Sequence, residues 1–571
     1  MLSELDLRVD KATAALTAEG APGALGLYPH YGLEVPIISG APPNLALYLD
    51  HFCELHGETE FLVAGEERLS FKQVHTAARS VAQALVAGYG IKPGDRVGIA
   101  MRNAPSWVVL YMGILMAGGC ATLLNGWWQG QELADGMDTV EAKLVFVDAP
   151  RAARLADHGY KGAEIVTLEV AALIDVALAP ILAKGKGVAA ALPALSGDDL
   201  ATILFTSGST GQSKGAFSNH RAVVQGTFNY IVQAMMMLQL ATEDGLIKPN
   251  PPQPCALLAV PLFHVTGEVP VLLVSFALGR KLIFMPKWNA DQALELIERE
   301  KVTNFTGVPL MSFELINHPD RQKYDLSTLQ GLAAGGAPRP LEHVKRITDE
   351  MPGAPPALGY GLTETNGIGA GNFSTNYQAK PNSTGRASAP LVDMAILDDD
   401  GKPVPQGERG EVSIRSVALF SGYWNRDDAT RSCMTCDGYF RTGDVGYFDD
   451  AGYLFIVDRK KDIIIRGGEN ISCQEVEAAL YEYPGVIEAC VFGLPDERMG
   501  ELVGAVIHFR SETPASSEAV LVDMRERLAG FKVPQRLWVH GPPLPRLGTE
   551  KIDKVGLRKK FQEEWALENG G

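Results

Sequence analysis

The sequence predicts an α/β protein: a large N-terminal domain of several subdomains with mixed sheets and helices, followed by a small α+β C-terminal domain. Three observations lead there. At 571 residues the chain is longer than the ~250–300 residues at which single cores stop growing. From about Asn44 to Asp458, apolar β-branched runs alternate with helical patterns, the signature of α/β layers. After Asp458 the pattern changes to a short strand, a capped helix, two long strands and a further helix.

The elements follow in chain order. The start, MLSELDLRVDKATAALTAEG, is broken by charges and lacks the apolar centre of a signal peptide. A helical pattern covers Phe71 to Tyr89. Trp107 to Leu124 carries no charge and is nearly long enough to span a bilayer, but Gly118 and Gly119 interrupt it, so it reads as a buried core helix. Strands are expected at Lys143 to Val147, Thr202 to Phe205, Ala256 to Val260 and Lys281 to Phe284, and a helix at Asp291 to Glu300. The Ala/Gly/Pro-rich interval Ala179 to Gly197 reads as a surface connector. Beyond Asp458, DIIIRGG is a strand, and Ser472-Cys473-Gln474-Glu475 is a capping box opening a helix with Val476, Ala479 and Leu480 on one face. ACVFG and LVGAVIHF are strands, and an Ala/Leu/Arg helix and a basic segment close the chain.

Composition narrows the function classes. Hydrophobic residues at 46% and charged residues at 21% allow large cores and exclude a disordered chain. A net charge of -17 repels phosphate backbones, which argues against nucleic acid as a partner. A polyphosphate substrate must then be held by local donors and a metal ion. Seven scattered cysteines fit a reducing cytoplasm. Cys433 and Cys436 form a CxxC without the second pair or the histidines that would complete a zinc site, and read as incidental loop thiols.

The strongest local signal is TSGSTGQSKG, Thr206 to Gly215, directly after the apolar strand ATILF. Gly, Ser and Thr at this density let backbone amides and hydroxyls approach a phosphate chain. No GxxxxGK[ST] is present, so this is not a Walker A loop. Alone, the run could also be a flexible linker, the less favoured of the two readings. Downstream, in order, come PLFHVTG (Pro261 to Gly267), AAGGAP (Ala333 to Pro338), GYGLTET (Gly359 to Thr365), GERGEV (Gly407 to Val412), YFRTGDVG (Tyr439 to Gly446), DRKKDIIIRGGENIS (Asp458 to Ser472) and PRLGTEKIDK (Pro545 to Lys554).

Each has a chemical reading. Glu364 is a hard oxygen ligand suited to Mg2+, beside Thr363, a hydroxyl donor for phosphate. Asp444 can accept two adjacent ribose hydroxyls, although taken alone it reads better as an Asp capping a turn with Gly443. A lone His at a strand end such as His264 is more often structural than catalytic. Met235, Met236 and Met237 would suit an apolar tunnel or simply fill a core.

With these motifs in this order, the chain from about residue 45 onward closely resembles the ANL superfamily of acyl-CoA synthetases, adenylation domains and luciferases. The resemblance implies an AMP-forming acyl-CoA synthetase that uses ATP, Mg2+ and CoA. It divides the chain into an adenylate-forming domain (1–458), a hinge (459–461) at Lys461 and a mobile C-terminal domain (462–571). It implies ATP contacts from Thr206, Ser207, Gly208, Ser209, Thr210, Gly211 and Lys214. Gly335, Gly336, Ala337 and the run Gly359, Tyr360, Gly361, Leu362, Thr363 and Glu364 would hold the adenine and phosphates. Asp444 and Arg459 would hold the ribose, and Thr206 with Glu364 the magnesium. His264, Val265, Gly335 and Gly361 would border the acyl pocket. Lys551 would stabilise charge on the α-phosphoryl group, and Arg466, Gly467 and Gly468 would line the CoA channel after domain rotation.

Two departures from the family pattern stand out: Ser213 replaces a usual Pro, and Glu550 replaces a usual Gly beside Lys551. The short tail after Lys554 argues against an attached carrier domain. Two other readings compete: an acyl-AMP ligase serving a separate carrier protein, and a weakly catalytic acyl/nucleotide-binding relative. The implied partners are a small-molecule carboxylic acid, ATP and CoA, in a cytoplasmic protein without a transmembrane segment, and a homo-oligomer is compatible with this.

Overall fold

The computed structural model describes residues 1–186, 190–206, 213–246, 251–335, 339, 341–467, 469–510, 515–547 and 551–568. Contacts divide it into two compact units. One is Met1–Met394 with Ser413–Phe440 and Ala451–Tyr453; the other is Ala395–Val412 with Arg441–Asp450 and Leu454–Gly571.

The first unit is built on two large sheets. The seven-stranded sheet runs Gly422–Tyr423, Lys214–Asn219, Leu200–Thr206, Cys120–Leu123, Arg96–Ala100, Leu144–Asp148 and Glu164–Leu168. Its centre is parallel, and Lys214–Asn219 turns it antiparallel at one side. The nine-stranded sheet includes, in adjacent parallel positions, Cys255–Leu258, Asn304–Gly307, Gly331–Gly335 and Pro356–Gly361. Parallel strands are covered on both faces, and their near-continuous apolar sequences meet that condition.

Helix Phe71–Tyr89 opens on a reciprocal Ser70–Gln73 capping box and closes at left-handed Gly90. The uncharged run from Trp107 divides in two. Its first part continues a helix, Pro105–Met116, in which every residue is buried. The chain then turns at Gly118, φ +81°, into the strand Cys120–Leu123, so the run is one helix and one strand. The Ala179–Gly197 interval also differs from expectation. Helix Ile174–Lys184 extends into it with Pro180 inside, because Leu178 and Ile181 are buried in the core and offset the donor that proline lacks.

The second unit contains the residues 395–397, 410–412, 441–448 and 454–459 of a four-stranded sheet and, after them, a five-stranded one. In the latter, Gly500–Phe509 pairs with Ile464–Arg466, Val486–Asp496 and Arg536–Val539. Strand alternation feeds two cores. Ala489 and Val491 face Val476, Leu480 and Met524, while Cys490 and Phe492 face Leu557 and Phe561. Half of the expected capping box forms: Ser472 Oγ accepts from the Glu475 amide, but the Glu475 carboxylate pairs with Lys532 at 2.6 Å.

Candidate active site

In the first unit, Thr206 ends one strand and Lys214 begins its antiparallel partner, and the two are Cα partners. The phosphate-loop motif therefore closes a hairpin across that pair. Ser207, Gly208, Ser209, Thr210 and Gly211 lie outside the described residues, as do Gly336, Ala337, Gly468 and Glu550.

Gly335 ends its strand beside Gly359 in parallel register. Among the described residues, a Cβ built on Gly359 meets nothing within 4 Å. Tyr360 follows, half-buried, on the same strand. Gly361 is obligatory for a different reason: a Cβ there would lie 2.0 Å from the Gly367 carbonyl oxygen. The Leu362 amide donates to Thr365 Oγ1 at 3.0 Å and caps the 3-10 turn Thr363–Thr365 that carries Glu364. Glu364 is buried, and its Oε1 accepts the Tyr423 hydroxyl at 2.6 Å.

Around Gly367 the expected acyl-pocket residues begin to converge. The Tyr230 hydroxyl donates to the Gly367 carbonyl at 2.6 Å, and Val265 Cγ2 lies 3.4 Å from a Cβ built on Gly367. His264 sits at the turn before a π-helix, Gly267–Leu273, and its carbonyl accepts the amides of Gly267 and Glu268. The methionines do not act as a group: Met236 packs with Ala12 and Leu240, while Met237 is exposed.

In the second unit, Asp444 and Arg459 are antiparallel partners, with Arg459 Nε 3.4 Å from Asp444 Oδ1. Asp444 is buried and its amide donates to Thr442 Oγ1 at 3.1 Å. Lys461 is exposed in the turn between Leu454–Arg459 and Ile464–Arg466, where the amides of Asp462 and Ile463 both donate to the Arg459 carbonyl. Arg466 ends its strand opposite Gly500, and Gly467 follows at φ +59°, its amide donating to Met499 O at 2.8 Å.

The two lysines of TEKIDK have opposite surroundings. Lys554 binds both oxygens of Glu477, at 2.7 and 2.9 Å. Among the described residues, Lys551 has no carboxylate within ion-pair distance. Burial, and then the positive Arg459, pull the Lys551 ammonium down from 10.5 to about 8.

Sequence reasoning missed two groups. One is Tyr423, the buried donor to Glu364, which comes from a segment 59 residues further on. The other gathers Arg102, Arg151 and Arg154 around Asp148 and Gly126. Arg151 Nη1 lies 3.0 Å from Asp148 Oδ2, Arg154 donates to the Trp128 carbonyl at 2.8 Å, and the Arg151 guanidinium lies 5.7 Å from the ring centre of exposed Trp127. The Arg-x-x-Arg spacing on one helix face after NGWW was the available signal. Among the described residues no three His, Cys, Asp or Glu side chains cluster as a metal site. No helix among them is long and apolar enough to cross a membrane.

The first unit holds a hairpin bridged by the Gly/Ser/Thr motif and a buried carboxylate on the GYGLTET turn, and the second a lysine with no carboxylate within ion-pair distance among the described residues; these are groups an adenylate-forming enzyme needs. The chain matches the family model for AMP-binding enzyme over residues 49–424 and that for the AMP-binding enzyme C-terminal domain over residues 475–551. It belongs to this AMP-binding family, the ANL superfamily, and within it to the acid–thiol ligases.

Among its relatives is a long-chain-fatty-acid–CoA ligase of Bacillus subtilis, 31% identical over 528 residues, 87% of this chain and 90% of the relative. A feruloyl-CoA synthase of Amycolatopsis is 32% identical, with 87% and 95% covered. The crystal structure of ATP-bound MatB from Rhodopseudomonas palustris is similar with a TM-score of 0.79 at 28% identity, over 91% of this chain and 100% of that one.

Proposed function

We propose that the protein joins an apolar carboxylic acid, fatty or aryl, to AMP with release of pyrophosphate, and then transfers the acyl group to coenzyme A. The observation that carries this reading is Lys551, which has no carboxylate within ion-pair distance among the described residues while Lys554 is held by Glu477. The acid class rests on relatives named for long-chain fatty and feruloyl acids and on the Tyr230–Val265–Gly367 wall.

In the first half-reaction a carboxylate oxygen attacks the α-phosphorus of ATP and the bond to pyrophosphate breaks. The ammonium of Lys551 offsets the charge spread over the phosphoryl oxygens. Thr206 and Lys214, with Ser207, Gly208, Ser209, Thr210 and Gly211 between them, hold the phosphates. Gly335, Gly336, Ala337, Gly359 and Tyr360 flank the adenine, Gly361, Leu362 and Thr363 lead from it to the phosphates, and Asp444 with Arg459 takes the ribose. His264, Val265, Gly335 and Gly361 border the acyl group.

Glu364 and Thr206 are the residues that would hold Mg2+. A buried carboxylate and a hydroxyl form the oxygen-only set that Mg2+ prefers, with phosphates completing it. When bound, the ion supplies charge neutralisation on the pyrophosphate leaving group.

In the second half-reaction the CoA thiol gives up its proton, its sulfur attacks the acyl carbon and AMP leaves. Rotation about Lys461 between the domains 1–458 and 462–571 would exchange Lys551 for the Arg466-Gly467-Gly468 segment at the acyl carbon. Arg102 and Arg154, flanking the buried Arg151–Asp148 pair, and exposed Trp127 offer cations and a stacking face to the nucleotide of CoA. A cytoplasmic setting agrees with seven free cysteines.

ATP–pyrophosphate exchange over a panel of short, medium, long and aromatic acids tests the first step, and CoA-dependent AMP release tests the second. Exchange with no acid would leave a binding relative; exchange without CoA-dependent release would leave an acyl-AMP ligase serving a carrier.

A further inference from the structure

The segment Phe420–Tyr423 grips Glu364 twice. The Phe420 amide donates to the Glu364 carbonyl at 2.8 Å, and the Tyr423 hydroxyl donates to Glu364 Oε1 at 2.6 Å. The same segment is fastened to the strand that leaves the phosphate loop. Tyr423 is the antiparallel partner of Ala216, the Ser421 amide donates to Phe217 O at 2.7 Å, and the Trp424 amide donates to Gly215 O at 2.8 Å. Lys214 Nζ lies 4.8 Å from the centre of the Tyr423 ring, inside the ~6 Å range of cation–π attraction.

One side chain therefore touches both halves of the phosphate clamp, a strand start at Lys214 and a 3-10 turn at Glu364, about 150 residues apart in sequence. Tyr423 and Glu364 are each buried to 8% and 7% exposure, so water cannot readily replace the phenolic donor. A carboxylate offers about four acceptor positions, and the Tyr423 donor at Oε1 restrains its plane.

We propose that Tyr423 is the positioning residue of the phosphate clamp: its hydroxyl sets the Glu364 carboxylate for the metal, and its ring face sets the ammonium of Lys214. The inference rests on the reading of Glu364 as the magnesium ligand. Neither half of the clamp would hold the geometry alone. The Glu364 turn is a single 3-10 turn, and Lys214 is the first residue of its strand.

Tyr423→Phe separates the two roles, since it keeps the ring beneath Lys214 and deletes only the donor. Losing a hydrogen bond to a charged group of ~1.5–3 kcal/mol corresponds to about 10- to 150-fold. Three measurements decide the matter. Mn2+ binding to the ATP complex, followed by electron paramagnetic resonance, should weaken by about tenfold or more. The Mg2+ concentration for half-maximal pyrophosphate exchange should rise in parallel. Thioester formation from supplied acyl-AMP, which involves no polyphosphate, should change by less than about twofold and so certifies the fold. Tyr423→His, which returns an N–H donor on a smaller ring, should recover part of the Mn2+ affinity.

Unchanged Mn2+ affinity in Tyr423→Phe, while Glu364→Gln weakens it, overturns the role of Tyr423 alone. Unchanged affinity in Glu364→Gln removes the magnesium reading beneath it as well. Equal losses in both half-reactions would make Tyr423 a structural residue and end the proposal.

Discussion

Adenylation by this enzyme should fail on the alkaline side of neutrality, earlier than a lysine of ordinary pKa would allow. Burial and the positive Arg459 bring Lys551 to about 8. Its charged fraction is then ~90% near pH 7, ~50% near pH 8 and ~10% near pH 9, whereas an unperturbed lysine at ~10.4 would still be ~96% charged near pH 9. If only the ammonium form stabilises the phosphoryl transition state, pyrophosphate exchange should drop by about ninefold between those limits.

Three variants dissect the cause. Lys551→Arg keeps its charge to above pH ~12 and should lose the alkaline limb while running more slowly. Arg459→Gln removes the second cause and should move the limb upward, with weaker ATP binding if Arg459 helps hold ribose. Lys551→Ala should cost on the order of 10²–10³ in the exchange reaction, yet spare thioester formation from supplied acyl-AMP. The assay is exchange at saturating ATP and acid from about pH 6.5 to 9.5. A flat wild-type profile, or an Arg variant that keeps the same limb, would refute the assignment.

Three further outcomes are expected. Lys461→Pro fixes φ near about -65° and deletes a backbone donor at the proposed pivot, so exchange should persist while CoA ligation falls steeply; full ligation would rule out rotation there. Gly467→Ala forces a left-handed φ of +59° on a residue with a Cβ that would lie 2.4 Å from Met499 Cε, costing about 1–2 kcal/mol. Its thioester half-reaction should lose more than its exchange, and an even loss would remove Gly467 from the CoA channel. Glu268, wholly buried with Tyr111 donating to it at 2.8 Å, is raised by burial from 4.5 to about 7. The folded state then keeps a proton that the unfolded chain has lost between those values, so stability falls by up to about 3 kcal/mol as pH rises through that window. Glu268→Gln should show a flatter unfolding midpoint between about pH 5 and 8 than the parent; parallel curves would contradict the burial effect.

What the sequence revealed and what it hid follow from the range of the forces involved. Helix Phe71–Tyr89 was legible because Ser70, Gln73 and Gly90 act within a turn or so of its ends. The strand Lys281–Phe284 was legible because a short apolar run between turn residues has few other uses. The glycines of GYGLTET were legible as a motif, and the structure supplies the reason for one of them, the carbonyl of Gly367 against Gly361. The donor to Glu364 was not legible, because a tyrosine in SGYWN looks like any strand aromatic until folding brings it across. The same holds for Arg151, which its periodicity would place on an ordinary solvent face but which is buried beside Asp148. The Pro180 helix was hidden by local chemistry pointing the wrong way: proline argued for a loop, and distant apolar partners prevailed.

The helix Pro105–Met116 carries a cost that arises before the enzyme ever meets a substrate. All 12 of its residues are buried, and at Gly113 it presses so closely on Phe71–Tyr89 that an added Cβ would lie 2.6 Å from Val81 Cγ1. Such a segment has no side that tolerates water. The core that receives it includes Ala201 and Leu204, on a strand that begins about 80 residues later in synthesis, or roughly 4–16 s at usual elongation rates. Throughout that interval a sticky, uncharged stretch has its earlier partners, such as Val81, but not its later ones. The yield of folded protein should therefore depend on chaperone supply and on temperature during translation far more than the finished enzyme's own stability would imply.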